Sequence, residues 1–443
     1  MQRKHQALSI GVVLLAVSLA AVAPAAARSR SATTNQATEI GVTPTTIRIA
    51  VVADVDNPIV PGVLQGVVDG MNGFGKYVNA NGGVAGRKVQ VDFIDSKLNP
   101  NDARNAVIQA CQNDFALVGT AAIFLNNATD EVNCVDQAGK ATGLPDLGAI
   151  DTNLAQACSP TSYPITPAAV DCSTITKTPQ TYRGMQGDSK YLLKKFGNLH
   201  GAFVVAGDTP ETKRTSSLLG IIANNAGIKS DQNAVVGGRD PQSAYTPVIQ
   251  KMKNDNSNYS LAAQAVNGVV AMRQEAQLQG LTDPKIIWQC TLACYYAPVF
   301  TKAGSAVDGE YMTLEFLPFD EVKSNKMLAN FVKYTGTDKL SGFADWGFTA
   351  GVLFQQAIQQ VVAKHGNNGV TRAAFLDALH GITSFDAGGM AAKVDIGNRV
   401  PSQCFMIEQW TNGKFVRVYP TTKGAFDCKA ANAVKFQYDL LGQ

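Results

Sequence analysis

The residue types found in enzyme active sites occur in this chain, but they do not fall into catalytic spacings. The histidines at positions 5, 200, 365 and 380 are far apart, and none follows a predicted strand, where a general base would be held. Neither a Gly-x-Ser-x-Gly nucleophile motif nor a His-Glu-x-x-His zinc motif occurs. The sequence therefore predicts a protein that is not an enzyme and that needs neither a metal nor a cofactor.

One glycine-rich stretch has the spacing of a phosphate-binding loop. Residues 70–76 read Gly-Met-Asn-Gly-Phe-Gly-Lys, but Tyr77 stands where such a loop has the Ser or Thr that binds magnesium. A phosphate-binding loop also follows a strand, whereas a helical pattern leads into this stretch. We therefore interpret these glycines as part of a helix.

The remaining candidates for chemistry lie at the ends of predicted strands. Ligands bind beyond the carboxyl ends of the strands in open parallel sheets, so the side chains at these ends are predicted to contact a ligand. The predicted ligand-binding residues are Asp54, Asn57, Ala122, Ile123, Phe124, Ile150, Asp151, Thr152, Asp208, Thr209, Val266, Asn267, Thr291 and Trp346. In the alternative interpretation, Asp54, Asp151 and Asp208 each cap the following helix, and Phe124 and Trp346 belong to the core.

Two series of alternating strands and helices position these strand ends. In the first series, buried strands are predicted at 47–53, 89–95 and 115–118, with helices at 63–78 and 99–111 between them. The second series has strands at 201–207, 234–237, 259–266 and 285–288. This pattern predicts an α/β protein with two doubly wound parallel-sheet lobes. Near the end of the chain, Asn412-Gly413 predicts the turn of a β-hairpin.

Three blocks of the first series carry a resemblance to a known family. Residues 47–52 (Ile-Arg-Ile-Ala-Val-Val), 78–89 (Val-Asn-Ala-Asn-Gly-Gly-Val-Ala-Gly-Arg-Lys-Val) and 95–100 (Asp-Ser-Lys-Leu-Asn-Pro) resemble the opening of the type I periplasmic binding proteins. The branch they are most similar to is the leucine/isoleucine/valine-binding family. The resemblance implies an extracytoplasmic solute-binding protein that captures a small organic molecule between its lobes and delivers it to the permease of an ABC importer. A secreted ligand sensor or interaction module with the same clamshell fold is the alternative.

The resemblance also implies how the chain is divided. It implies a hinge with three crossings, near Thr181, Met312 and Met390, so that each lobe is discontinuous in sequence. Lobe 1 is expected to contain residues 46–181 and 313–390, and lobe 2 residues 182–312 and 391–443. We expect the protein to be a monomer.

The N-terminal residues predict export. Basic residues at 3–5, an apolar segment at 10–22 and three alanines at 25–27 predict a signal peptide over residues 1–27, with an uncleaved membrane anchor as the alternative. Residues 28–45 are polar and are predicted to form a flexible leader. No cysteine precedes Cys111, so we expect a secreted or periplasmic protein that is not a lipoprotein. The net charge of +3, with interspersed signs, predicts no nucleic-acid partner.

The cysteines of an exported chain are expected to form disulfides. We predict pairing between neighbours in the sequence, because each such pair closes a local loop and none restrains a hinge. The predicted pairs are Cys111 with Cys134, Cys158 with Cys172, Cys290 with Cys294, and Cys404 with Cys428. A metal site at Cys290 and Cys294 is the rival interpretation, although no histidine is near them in the sequence.

The strand ends also restrict the ligand. In the family that the chain resembles, aromatic side chains and an acid of the second lobe hold the ammonium group of an amino acid. Residues 265–268 and 289–294, which follow two strands of the second series, contain no acid, and a buried ammonium without a partner is costly. We therefore expect an amide or a small hydrophobic carboxylate, with an amino acid as the alternative if Asp151 or Asp208 supplies the missing charge.

Overall fold

The computed structural model describes residues 34–58, 60–151, 153–207, 210–237 and 240–439. The predicted signal peptide lies outside the described residues. None of the described helices combines the length and the hydropathy of a membrane span.

The secondary structure alternates between strands and helices along most of the chain. The strands are β1 (Thr46–Ala53), β2 (Lys88–Asp95), β3 (Ala116–Val118), β4 (Asp146–Leu147), β5 (Gln180–Met185), β6 (His200–Ala206), β7 (Lys229–Val236), β8 (Tyr259–Ala263), β9 (Ile287–Cys290), β10 (Tyr311–Leu314), β11 (Met406–Thr411), β12 (Lys414–Tyr419) and β13 (Ala433–Tyr438). The α-helices are α1 (Gln65–Ala80), α2 (Pro100–Asn113), α3 (Thr129–Val132), α4 (Leu154–Ala157), α5 (Gly187–Phe196), α6 (Pro210–Ala226), α7 (Thr246–Asn254), α8 (Val266–Leu278), α9 (Ala297–Ala303), α10 (Lys326–Thr335), α11 (Gly342–His365) and α12 (Arg372–His380).

The first sheet is parallel and has the strand order β2-β1-β3-β4. The register of β1 and β2 runs from Thr46 opposite Lys88 to Ala53 opposite Asp95. The last four residues of β1 are fully buried, as expected for a central strand that is covered on both faces.

The helices α1 and α11, which cover this sheet, pack closely against each other. The glycine-rich stretch at 70–76 lies inside α1, as the sequence predicts. A Cβ atom at Gly70 would lie 1.9 Å from the carbonyl oxygen of Ala344 in α11, and one at Gly347 would lie 2.2 Å from that of Val67. Glycine at both positions therefore lets the backbones of α1 and α11 approach closely.

The second sheet has the strand order β12-β11-β10-β9-β8-β6-β7. The strands from β6 to β10 are parallel, and β11 and β12 form an antiparallel hairpin at the edge. Asn412 and Gly413 have φ angles of 52° and 73°, the left-handed conformation that a type I′ turn requires. The hairpin predicted from Asn412-Gly413 is therefore present, and it joins the second sheet.

The crossing predicted near Met312 lies further along the chain. All of β10, up to Leu314, pairs with β9 and β11 in the second sheet. The helices α10, α11 and α12 that follow contribute to the core of the first sheet. A separate antiparallel pair, β5 with β13, joins residues that are distant in the sequence.

Residues 35–45 pack against the fold, although the sequence analysis assigns them to a flexible leader. Val42 is 2% exposed, and Thr38 Oγ1 donates a hydrogen bond to the carbonyl oxygen of Val370. The guanidinium group of Arg87, whose residue is 1% exposed, donates to the carbonyl oxygen of Gln36 at 2.9 Å. The acceptor for Arg87 is a backbone carbonyl oxygen, which any residue type supplies, so the polar composition of the segment does not report on its packing.

The cysteines pair as predicted. The Cα–Cα distances are 5.8 Å for Cys111–Cys134, 5.4 Å for Cys158–Cys172, 6.2 Å for Cys290–Cys294 and 4.0 Å for Cys404–Cys428. The disulfide between Cys290 and Cys294 replaces the rival metal site.

The close approach of α1 and α11 leads to a stability prediction. Gly70→Ala places a methyl group against the backbone of α11, so we expect it to lower the free energy of unfolding by about 1–3 kcal/mol. Intrinsic helix propensity alone would favour alanine by about 1 kcal/mol, so the two effects have opposite signs. Urea denaturation measures the difference.

Gly75→Ala in the same helix is the matched control. Its Cβ atom would meet only the side chain of Val91, at 3.1 Å, and not the backbone of another element. We expect this variant to be near wild type or slightly more stable. Equal stability of the Gly70→Ala and Gly75→Ala variants would contradict the packing argument.

Candidate functional site

A cleft of about 540 Å³ lies where the carboxyl ends of strands from both sheets meet. This volume is within the usual range of small-molecule sites, roughly 300–1,000 Å³. From the first sheet and its helices, the lining residues are Val63, Leu64, Ile123, Ile150, Thr166, Phe343 and Trp346. From the second sheet and its helices, they are Met185, Asp188, Ser189, Leu219, Ile222, Ala223, Leu261, Ala263, Gln264, Ala265, Gln289, Cys290, Thr291, Leu292, Ala293, Thr313 and Glu315. Most of these side chains are apolar.

The structure brings part of the predicted site together. Ile123, Ile150, Thr291 and Trp346 line the cleft. Val266 and Asn267 occupy the first turn of α8, although the sequence analysis places Val266 in the preceding strand, and they line a neighbouring cavity of about 260 Å³. The two cavities share Val63, Ala265, Ala293 and Phe343. That these side chains contact a ligand stays a prediction.

Asp54, at the end of β1, holds the cleft wall in place without lining it. Its Oδ1 atom accepts hydrogen bonds from Ser96 Oγ at 2.6 Å and from the Leu98 N–H at 2.7 Å. Its Oδ2 atom accepts a third from the Ile123 N–H at 2.7 Å. The buried carboxylate therefore ties together the turns that follow β1, β2 and β3. It does not cap α1, the alternative role considered for it.

The other predicted residues near these strand ends do not line the cleft. Asn57 closes its own turn, because its Oδ1 atom accepts from the Val60 N–H at 2.7 Å. Ala122 is buried in the core, and Phe124 is half-buried beside it. Thr152, Asp208 and Thr209 lie outside the described residues.

Asp151 faces the interior of the first half of the molecule. Its Oδ2 atom accepts a hydrogen bond from Ser162 Oγ at 3.0 Å. Burial, together with the nearby charge of Asp146, raises the pKa of Asp151 well above its ordinary value. Asp151 is not among the residues that line the cleft, so its role as the missing acid stays a prediction.

Asp188 supplies an acid to the second half of the cleft, so the expectation that none is present is wrong. It lies in the first turn of α5, and its Oδ2 atom accepts from Gln289 Nε2 at 2.7 Å and from Thr313 Oγ1 at 2.9 Å. The sequence analysis missed it because β5, which precedes α5, pairs with β13 outside the main sheets. The end of β5 was therefore not among the strand ends at which we predicted ligand-binding residues.

Glu315 is a second acid that the sequence analysis did not identify. It comes directly after β10, and it shares a strand face with Thr313 because side chains two residues apart point the same way. Burial raises the pKa of Glu315 to about 7, and the negative charge of Asp188 adds to the shift.

A smaller pocket of about 80 Å³ extends from the cleft. It shares Thr166, Glu315 and Trp346 with the cleft, and it adds Asp345 and Thr349 from α11. We call this extension the acidic pocket. Asp345 is 1% exposed; its Oδ2 atom accepts from Thr349 Oγ1 at 3.4 Å, and its Oδ1 atom has no hydrogen-bond partner. Burial raises the pKa of Asp345 well above its usual range.

The charged residue types that line the cleft and the acidic pocket are all acids. Within the described chain, the residues that line the cleft and the acidic pocket include Asp188, Glu315 and Asp345 but no Lys, Arg or His. The sequence signal for Asp345 is limited to its position between the apolar residues Ala344 and Trp346 of α11. Among the residues that the structure describes, no group of three or more His, Cys, Asp or Glu is placed to hold a metal ion.

Solved structures with the same fold include three solute-binding proteins. One is a fatty acid ABC transporter substrate-binding protein from Thermomonospora curvata, at 15% identity and a TM-score of 0.63 over 89% of this chain and 98% of that one. A leucine-binding protein from Thermotoga maritima is 14% identical, with a TM-score of 0.62 over 84% and 97%. A solute-binding protein from R. palustris, in complex with benzoate, is 16% identical, with a TM-score of 0.63 over 84% and 95%.

Sequence comparison assigns the family. A search of curated proteins finds no match. The family model of the periplasmic binding proteins matches residues 46–414, most of the chain, and includes both sheets and the cleft between them. The chain therefore belongs to the periplasmic binding protein family and has its type I fold.

Proposed function

We propose that this protein is an extracytoplasmic solute-binding protein that captures a small organic molecule in the cleft and delivers it to an ABC importer. The observation that carries the proposal is a mostly apolar cleft to which both sheets contribute the carboxyl ends of their strands. The structural neighbours named above include proteins of ABC transporters.

The same proposal includes the location and the organisation of the chain. Disulfides persist in oxidising compartments, so the four pairs support a secreted or periplasmic protein, exported by the signal peptide at residues 1–27. We propose that the chain forms the two predicted lobes and that the protein is a monomer. We place the second crossing between the lobes after Leu314 and not near Met312, because β10 belongs to the second sheet.

A screen for ligands tests the proposal. At a concentration of about 100 times its dissociation constant, a ligand that binds only the folded state stabilises it by about 2.7 kcal/mol. We expect at least one small molecule with an apolar body, in a library of amines, amides, carboxylates and amino acids, to raise the melting temperature. Leu219→Gln places an amide in the apolar wall of the cleft and is expected to reduce that shift.

Leu278→Gln is the matched control, because Leu278 is 74% exposed on α8 and does not line the cleft. It is expected to keep the full shift. A library without any stabilising compound, or an equal loss in both variants, would contradict a solute site in this cleft. A ligand that binds but is not transported by a reconstituted permease would favour the sensor function.

The charge state of Glu315 predicts a pH dependence of stability. The ordinary pKa of this group is 4.5, and folding raises it to about 7. Between these values the folded protein holds a proton that the unfolded chain has lost, so the contribution of Glu315 to the free energy of unfolding falls as the pH rises through this window. We expect Glu315→Gln, which cannot ionise, to gain stability relative to wild type from about pH 5 to about pH 8.

Urea denaturation of both proteins across this range measures the effect. Parallel curves for the wild type and the variant would show that Glu315 is solvated in the folded protein and ionises normally.

A further inference from the structure

We propose that the solute is a hydrophobic amine: its ammonium group binds in the acidic pocket between Glu315 and Asp345, and its apolar body occupies the cleft. This proposal rests on the proposed function, because it assigns the chemical class of the solute for the same site. It replaces the amide or small hydrophobic carboxylate that the sequence analysis favoured.

The strongest observation is the unpartnered oxygen of Asp345. Acids in the first turn of a helix often cap it, but in α11 this role belongs to Ser341, whose Oγ atom accepts from the Ala344 N–H. Asp345 Oδ1 is buried without any hydrogen bond, and an unpaired buried polar group is costly. An ammonium group in the pocket would supply the missing donor.

Glu315 provides the second wall of the pocket. It lines the same 80 Å³ space as Asp345, and the structure pairs neither carboxylate with a basic side chain among the residues that it describes. Burial raises the pKa of both acids, and a bound cation would oppose this shift and favour their ionised forms, which a neutral solute would not do.

Three further features fit an ammonium group, and the last of them, the small volume of the pocket, acts against a larger cation. The hydroxyl groups of Thr166 and Thr349 also line the pocket, and an ammonium group has three donors to share among such acceptors. The half-buried indole ring of Trp346 lines both the pocket and the cleft, where an aromatic ring attracts a cation through its π face. The small volume of the pocket admits the head group, and the apolar body has to remain in the cleft.

The same charges act against other solutes. A carboxylate in the cleft would face Asp188 and Glu315 without a basic partner among the described lining residues. In the neighbouring cavity, Lys339 Nζ already lies 3.2 Å from Asp69 Oδ1. In an α-amino acid, the carboxylate is bonded to the carbon that bears the amine, so it would enter the acidic pocket beside Glu315. The pocket therefore favours an amine without an adjacent carboxylate.

Three probes with one apolar body test the inference: 4-phenylbutylamine, 4-phenylbutanamide and 4-phenylbutanoate. Binding to the mature full-length protein is measured by isothermal titration calorimetry at about pH 8, where a simple amine is still protonated. We expect the amine to bind about tenfold tighter than the amide, and the carboxylate to bind most weakly.

The variants Asp345→Asn and Glu315→Gln test the two acids separately. Each is expected to weaken binding of the amine by about tenfold or more while changing the affinity for the amide by less than about threefold. Asp377→Asn is the control, since this carboxylate is 66% exposed on α12 and lies outside the pocket. Circular dichroism and the urea midpoint check that each variant is folded, and either acid variant alone is sufficient for the test.

Each outcome decides the inference. Tighter binding of the amine that is lost in the acid variants supports it. Equal or tighter binding of the amide or the carboxylate, or an amine affinity that neither acid variant changes, overturns the amine assignment but leaves a solute in the cleft and hence the proposed function. If no probe binds, the amine assignment also fails, and the library screen with Leu219→Gln decides the proposed function separately.

Discussion

The structure depends on buried carboxylates that fix the ends of parallel strands. In the first sheet, Asp54 accepts hydrogen bonds from the turns after β2 and β3. In the second, Asp188 accepts from side chains at the ends of β9 and β10. Parallel strands end at one edge of a sheet, but their turns are irregular, so this edge needs side-chain hydrogen bonds to keep one shape. Charge-assisted hydrogen bonds are about twice as strong as neutral ones and are suited to this task.

The number of hydrogen bonds distinguishes these structural acids from the acids of the pocket. Asp54 accepts three hydrogen bonds and Asp188 also binds several donors, and these bonds oppose the rise in pKa that burial causes in both groups. Asp345 has one long hydrogen bond and one bare oxygen. Selection for stability alone would favour an apolar residue there, because a partly satisfied buried acid is worse than none. Asp114, Glu131 and Asp151 also have a buried oxygen without a hydrogen-bond partner, so the bare oxygen of Asp345 points to a ligand only because this residue lines the pocket that adjoins the cleft.

Sequence patterns predicted what depends on local periodicity, and they failed where distant segments meet. Continuous apolar runs identified β1 and β6, and Asn412-Gly413 located the hairpin because its φ angles are a local requirement. Asp188 was missed because β5 is recognisable only with its partner β13 in place. Residues 35–45 were assigned to a leader because their polar composition gives no hint that the distant Arg87 is buried against them. The acidic pocket could not be predicted either, since Glu315 and Asp345 meet only in the folded chain.

The acidic pocket lies where the chain passes from the second sheet to the helices of the first. Asp345 lies on α11, which packs on the first sheet, whereas Glu315 directly follows β10 of the second sheet. The chain crosses between the sheets just after this residue. A cation held by both carboxylates would therefore join the two halves at the crossing, and it would stabilise only those arrangements in which the acids approach each other. A ligand shifts a conformational equilibrium by its difference in affinity between the two states, and a charge shared across a hinge provides such a difference.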